Sequence, residues 1–113
     1  MIRVCVLIAA AAMTGCATTG NSLYSWGSYE KDLYRYYLQA DKRPEVVHDY
    51  LDFIAKLESR NQRPAPGLYA EAGTFLLLQG RPQEAIVYYD KEQQAWPESQ
   101  YFMGKLIENL QEQ

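Results

Sequence analysis

Length and charge bound what this chain can be. Its 113 residues are enough for one small domain with a modest core, and its 11 basic and 14 acidic side chains give a formal net charge of −3. A mildly acidic chain without a basic cluster argues against a nucleic-acid-binding surface and against electrostatic docking on anionic lipid.

The first residues predict a signal peptide and a lipid anchor. Arg3 precedes an apolar run over residues 4–13, which is shorter than the roughly 20 residues that a membrane-spanning helix needs. Residues 13–16, MTGC, resemble the bacterial lipobox, with methionine where leucine is usual. The resemblance implies cleavage before Cys16 and acyl chains such as palmitate on that cysteine. We therefore predict that residues 1–15 are a cleaved signal peptide.

The residues around Cys16 also predict where the protein is held. Cleavage removes Arg3 and changes the formal net charge from −3 to −4. It leaves Cys16 as the only cysteine, so one mature chain cannot form a disulfide or a cysteine metal site. In such lipoproteins an aspartate after the cysteine signals retention at the inner membrane, whereas this chain has Ala17. We predict a tether over residues 16–27 and a location at the periplasmic face of the outer membrane.

Hydrophobic periodicity predicts an all-α domain of about five helices over residues 28–113. The predicted helices span residues 28–40, 44–60, 67–79, 82–96 and 98–111. Ser28 is the expected N-cap of the first helix, and Pro44 and Pro82 suit the first turns of the second and fourth. Gly80 suits the turn after the third helix because glycine readily adopts the left-handed conformation.

Each helix has a predicted inward face. In chain order these faces are Tyr29, Leu33, Tyr36, Tyr37 and Ala40; Val47, Tyr50, Leu51, Ile54 and Leu57; Leu68, Ala72, Phe75 and Leu76; Ala85, Ile86, Tyr89, Gln93 and Trp96; and Phe102, Met103, Leu106, Ile107 and Leu110. No segment alternates with period two for more than a few residues, so no strand is predicted.

Residues 66–99 resemble one tetratricopeptide repeat, a 34-residue helix–turn–helix unit. The matching positions are Tyr69, Ala72, Gly73, Leu76, Ala85, Tyr89 and Pro97. Gly73 and Ala85 are small, so the two helices can approach closely. Ala72 departs from the usual leucine, and Glu92 occupies a normally small position. Because one repeat cannot bury both its faces, the resemblance implies a degenerate first unit at 28–60 and a capping helix after residue 98.

A second resemblance starts at Leu23. The opening LYSWGSYEKDLYRYY, residues 23–37, and the segment PGLYAEAG, residues 66–73, resemble a family of small outer-membrane lipoproteins of uncharacterised function. The resemblance implies a gene neighbourhood with a CsgG-like lipoprotein and a second small lipoprotein, and hence an envelope assembly. No residue-level activity comes with the family.

Catalytic chemistry is sparse in this sequence. His48 is the single histidine, and its neighbour Asp49 is adjacent on the same helix, where consecutive side chains do not face each other. No second histidine or mature cysteine completes a metal site or a nucleophilic triad, and there is no glycine-rich phosphate loop. We predict that His48 is a surface residue, that the protein is not an enzyme, and that it binds no cofactor.

The unusual feature is the aromatic density near the N-terminus. Five of the ten tyrosines and Trp26 lie between Tyr24 and Tyr37, which is more aromatic area than one helix face can bury. Tyrosine and tryptophan are enriched at interface anchors. The residues predicted to bind a partner are Tyr24, Trp26, Tyr34 and Tyr37. Packing within the domain and contact with lipid headgroups are the alternatives.

These observations predict a non-enzymatic, lipid-anchored helical-repeat adaptor that holds a partner protein in the cell envelope, with a CsgG-like lipoprotein as the implied partner. Two other roles stay open at this point. One is a structural envelope lipoprotein that contacts peptidoglycan or lipid. The other is a pilotin-like escort of an outer-membrane subunit.

Overall fold

The computed structural model describes residues 22–113, which form five α-helices. They are α1, Tyr29–Leu38; α2, Arg43–Ser59; α3, Leu68–Leu78; α4, Pro82–Ala95; and α5, Gln100–Gln111. Short 3₁₀ turns at Ala40–Lys42 and Pro97–Ser99 precede α2 and α5. Residues 22–113 contain no strand, so the predicted all-α class is confirmed.

Most helix boundaries lie within two residues of their predicted positions. Pro44 and Pro82 lie in the first turns of α2 and α4, and Gly80 has the expected left-handed conformation, with φ of +74°. Ser28 precedes α1, but its side chain makes no capping hydrogen bond to a backbone N–H of the first turn. Its hydroxyl instead donates to Asp32 Oδ2 at 2.6 Å. The predicted N-cap therefore has the right position and a different interaction.

The core lies mainly between α2, α3 and α4. Its fully buried side chains on α2 and α3 are Val46, Val47, Tyr50, Ile54, Leu57, Leu68, Ala72, Phe75 and Leu76. The predicted faces of these two helices are therefore confirmed, apart from Leu51, which is half-buried.

The predicted inward face of α1 was partly wrong. Tyr36 is buried and stacks on Phe75 with ring centroids 4.2 Å apart, whereas Tyr37 is exposed. Ala40 is also exposed, because α1 ends at Leu38 and Ala40 belongs to the following 3₁₀ turn. Asp32, which was not predicted to face inward, is buried, and its carboxylate accepts a hydrogen bond from the Ser28 hydroxyl. The stripe of α1 that faces the core is thus narrower than predicted.

The faces of α4 and α5 needed two corrections. Glu92 is fully buried: its Oε1 accepts a 2.9 Å hydrogen bond from the Gly67 N–H at the start of α3 and a 3.5 Å bond from the Ser99 hydroxyl, whereas its buried Oε2 has no hydrogen-bond partner among residues 22–113. Phe102 is exposed, whereas Met103 beside it is buried. The reason is that α5 packs on α4 and has no further helix on its outer side among residues 22–113.

The closest helix contact is in the α3–α4 hairpin. A Cβ added to Gly73 would lie 2.6 Å from the Tyr89 ring and 3.1 Å from the Ala85 carbonyl oxygen. No side chain fits there, so glycine is required for the two helices to approach this closely. The contact that the tetratricopeptide resemblance predicted between Gly73 and Ala85 is present.

Candidate docking surface

The four aromatic residues predicted to bind a partner do not form one surface. Tyr24 lies against the end of α4, whereas Trp26, Tyr34 and Tyr37 lie before or on α1. Cys16, the predicted lipidation site, and the lipobox lie outside the described residues and stay predictions.

Tyr24 fastens the segment before α1 to the domain. Its ring contacts the Trp96 ring edge-on, with centroids 5.6 Å apart. The Arg63 guanidinium also contacts Trp96 and lies 3.9 Å from the centroid of that ring. The Trp96 indole N–H donates to the Pro64 carbonyl at 3.3 Å. The half-buried Tyr24 is therefore a packing residue. The predicted tether, residues 16–27, therefore packs on the folded domain at Tyr24.

Exposed apolar side chains form a patch on α1. Tyr34, Tyr37 and Leu38 are 61%, 56% and 67% exposed. They are three and four residues apart, so they are neighbours on one side of the helix. We call these three residues the α1 patch. Trp26, 38% exposed, lies before the helix with its ring 5.4 Å from that of Tyr29.

Side chains of α1 and α3 meet beside this patch, and we call the surface between these two helices, from Glu71 to Leu78, the α1–α3 groove. The Tyr37 hydroxyl donates to Glu71 Oε1 at 3.4 Å and so bridges the two helices. Burial raises the pKa of the Glu71 carboxyl, against the smaller opposing effect of the bond from Tyr37. Burial, and then the Glu71 charge, raise the pKa values of Tyr29 and Tyr50.

A cleft of about 410 Å³ lies at the C-terminal end of α3, lined in part by Tyr37, Ala40, Arg43, Pro44 and Leu78. Tyr37 belongs both to this cleft and to the contact with Glu71. Leu78 is exposed at the end of the apolar run FLLL, which has one more leucine than the buried face of α3 uses. That extra leucine is the sequence signal for this cleft. Glu71 lies within the segment at residues 66–73 that carries the family resemblance, but the sequence predicted no role for it.

Ion pairs hold α1 on α2. Arg35 donates to Glu45 at 2.6 Å and lies 3.8 Å from both Asp32 and Asp49. Its guanidinium is mostly covered, and of its three partners Asp32 is buried, whereas Glu45 and Asp49 are about half exposed. The α1 patch is therefore carried on a helix that both apolar and ionic contacts fix in place.

The histidine lies at the surface beside one aspartate. His48 is exposed as predicted, but its Nδ1 lies 3.6 Å from Asp49 Oδ1, so these adjacent side chains do meet, contrary to expectation. Within residues 22–113 no three His, Cys, Asp or Glu side chains are grouped so as to hold a metal ion. None of the described helices has the length and apolar character that crossing a bilayer requires.

The comparison with protein families identifies the chain. Residues 23–106 match the domain of unknown function DUF4810. The chain belongs to the DUF4810 family. No curated protein and no solved structure matches it. The DUF4810 match starts just before Tyr24, so it includes the segment that packs on Trp96 as well as the five helices up to Leu106.

Proposed function

We propose that this protein is a lipid-anchored adaptor, without enzymatic activity, that holds a partner protein at the periplasmic face of the outer membrane. The α1 patch is the proposed docking surface, with Trp26 at its edge. A CsgG-like lipoprotein is the proposed partner, on the basis of the family resemblance at residues 23–37. The proposed anchor is acylated Cys16.

The exposed aromatic area on α1 is the observation that supports this proposal. Single exposed apolar residues are ordinary, whereas two tyrosines and a leucine adjacent on one helix form a contiguous patch. Tyrosine contributes large contact area at low entropic cost, because its ring has few rotatable bonds. Tyr36 and Arg35, which pack α1 against its neighbours, lie outside the patch, and within the patch Tyr37 also bonds Glu71 of α3. Binding at Tyr34 and Leu38 therefore does not require the helix to unfold.

The position of the segment before α1 is compatible with an anchor close to the domain. Cys16 and Ser22 are six residues apart, and a fully extended stretch of that length reaches about 20 Å. Since Tyr24 packs on Trp96, the chain is fixed to the domain shortly after that stretch. The proposed anchor would therefore present the α1 patch near the membrane, where an envelope partner resides.

Alanine variants of two exposed tyrosines test the proposal. Tyr34→Ala should weaken partner binding by about 2 kcal/mol or more if Tyr34 is a hot spot, which is roughly 30-fold in Kd. Tyr101→Ala is the matched control, because Tyr101 is also highly exposed but lies on α5. Copurification of the CsgG-like lipoprotein from solubilised envelopes measures binding, and circular dichroism of the same samples measures helicity.

The expected result is loss of the partner with Tyr34→Ala alone and unchanged helicity in both variants. Equal copurification with wild type and Tyr34→Ala would remove the α1 patch as the docking surface. Loss of helicity in Tyr34→Ala would show that this tyrosine stabilises the fold, contrary to its exposure.

A further inference from the structure

Glu71 is a half-buried carboxylate that lacks a cationic partner. Among residues 22–113 its side chain accepts a hydrogen bond from Tyr37 but forms no ion pair. Removing a carboxylate from water is costly unless a positive charge or several hydrogen bonds compensate. No cation among residues 22–113 therefore neutralises this carboxylate, which lies in the α1–α3 groove where the Tyr37 hydroxyl contacts it.

The same protein contains a complete version of this arrangement. Glu58 on α2 also accepts from a tyrosine hydroxyl, that of Tyr69, at 2.8 Å. In addition, Lys91 Nζ lies 2.8 Å from the same Glu58 oxygen and 5.7 and 5.1 Å from the ring centroids of Tyr69 and Tyr88. The ammonium is thus held both by a carboxylate and by aromatic rings.

The pKa values of the Glu58 and Glu71 carboxyl groups shift in opposite directions, as expected if Glu71 lacks the cation that Glu58 has. Burial acts on both, but hydrogen bonds from Lys91 and Tyr69 outweigh it at Glu58 and lower that pKa. At Glu71 burial prevails and the pKa is raised. Glu71 and the Tyr37 hydroxyl thus correspond to the Glu58 arrangement without its lysine.

The groove also offers an apolar contact at a defined distance. Glu71 and Leu78 lie on α3 seven residues apart, which is about 10 Å along a helix axis. Three residues of an extended peptide span about the same length. Arg43 lines the cleft beside Leu78, where its guanidinium donates to the Tyr36 carbonyl at 2.9 Å. A positive charge is therefore favoured at the Glu71 end of the groove and disfavoured at the Arg43 end.

We propose that the α1–α3 groove binds an extended segment of the partner protein, which places a lysine or arginine side chain against Glu71 and Tyr37 and an apolar side chain about three residues away in the cleft beside Leu78. This inference rests on the proposed adaptor function and specifies the chemistry of its partner. Tyr37 belongs to both the α1 patch and the α1–α3 groove.

Peptide selection tests the groove without knowledge of the partner. A display library of random twelve-residue peptides is selected on the full chain in detergent micelles. Bound peptides should be enriched in a basic residue and an apolar residue three positions apart. In fluorescence anisotropy with one labelled peptide, Glu71→Gln should weaken binding at least tenfold. Its neutral amide keeps an acceptor for the Tyr37 hydroxyl, so the fold should be retained.

Two further variants make the result specific. Glu98→Gln removes the same charge from the exposed turn before α5 and should leave affinity unchanged. Leu78→Ser alters an exposed side chain, so it should keep the fold and weaken binding severalfold. The groove proposal is wrong if no peptide is selected, if the bound peptides lack a basic residue, or if Glu71→Gln binds them as tightly as wild type.

Other occupants give recognisable results. Sedimentation that shows a dimer of the full chain, dissociated by Glu71→Gln, would identify a second copy as the occupant and overturn the proposal. The adaptor function itself fails separately, when Tyr34→Ala leaves copurification of the envelope partner unchanged. If Tyr34→Ala loses the envelope partner but Glu71→Gln binds the selected peptides as tightly as wild type, only the partner chemistry proposed for Glu71 is wrong.

Discussion

Gly73 determines how closely α3 and α4 approach. The Tyr89 ring and the Ala85 carbonyl occupy the space that a side chain at position 73 would need, and Ala85 itself is fully buried. At such a contact added atoms have no free volume, because protein interiors are packed as densely as organic crystals. A single residue, Gly73, therefore permits the close packing of α3 on α4.

Enlarging Ala85 should disrupt this contact. Ala85→Leu is expected to lower the free energy of unfolding by roughly 1–3 kcal/mol through overpacking. Ala55→Leu is the control, since Ala55 is exposed on α2 and a leucine there meets no neighbouring helix face. Thermal melts of the two variants and the wild type measure the effect. Equal stability of Ala85→Leu and wild type would mean that α3 and α4 are not packed closely at this point.

The Glu58 network should make stability depend on pH. Because the folded-state pKa of Glu58 is lowered, its contribution is present above the ordinary value of 4.5 and is lost as pH falls through the folded value. We expect Glu58→Gln to destabilise the protein at pH 7 by up to about 1 kcal/mol, since the site is partly exposed. Urea unfolding measures the difference, which should shrink below pH 4.5. A difference that persists at lower pH would contradict an ionic origin.

At the scale of elements, Tyr36 holds α1 to the helices beneath it. Its buried ring stacks on Phe75, and its carbonyl accepts from Arg43. Tyr36→Ala should cost about 3 kcal/mol, in the range for removing a buried aromatic side chain. Hydrogen exchange should show the largest loss of protection in α1. Tyr34→Ala, on the exposed side of the same helix, should leave protection unchanged, and equal loss in both variants would contradict the assigned faces.

The sequence was sufficient for the faces of α2 and α3 but not for that of α1. In α2 and α3 the apolar periodicity continues over several turns and the helices are covered on more than one side, so pattern and burial agree. In α1 the buried Asp32 breaks the pattern, since its burial depends on the Ser28 hydroxyl, a contact no hydrophobic scale includes. Glu92 was missed for the same reason, because its burial depends on the Gly67 N–H.

The candidate site was predictable only in part. Tyr34 was expected outside the core because it falls off the apolar stripe, and it is exposed. Tyr37 fitted both the predicted apolar stripe and the docking hypothesis, so the sequence did not decide between them, and the structure shows it exposed. Glu71 lies within an ordinary helical segment. Its significance depends on which residues of α1 and α2 surround it, which is information that local sequence does not contain.

At the scale of the whole molecule, the proposed anchor determines where the docking surface can act. Cys16→Ser should abolish labelling by a fatty-acid analogue and release the protein from the membrane fraction. Each buried methylene contributes about 0.8 kcal/mol, so several acyl chains anchor a protein stably. Metabolic labelling and membrane fractionation measure these outcomes. Wild-type protein that incorporates no label would contradict lipidation at Cys16.

The most direct test of the adaptor is photocrosslinking in intact cells. A photoreactive amino acid replaces Tyr34 on the exposed side of α1, and in a matched variant it replaces Val87, which is 52% exposed on α4. We predict a discrete protein adduct from position 34, identified as the CsgG-like lipoprotein by mass spectrometry, and no such adduct from position 87. Adducts of equal yield from both positions, or only lipid adducts from position 34, would contradict the claim that α1 carries the surface that binds a partner protein.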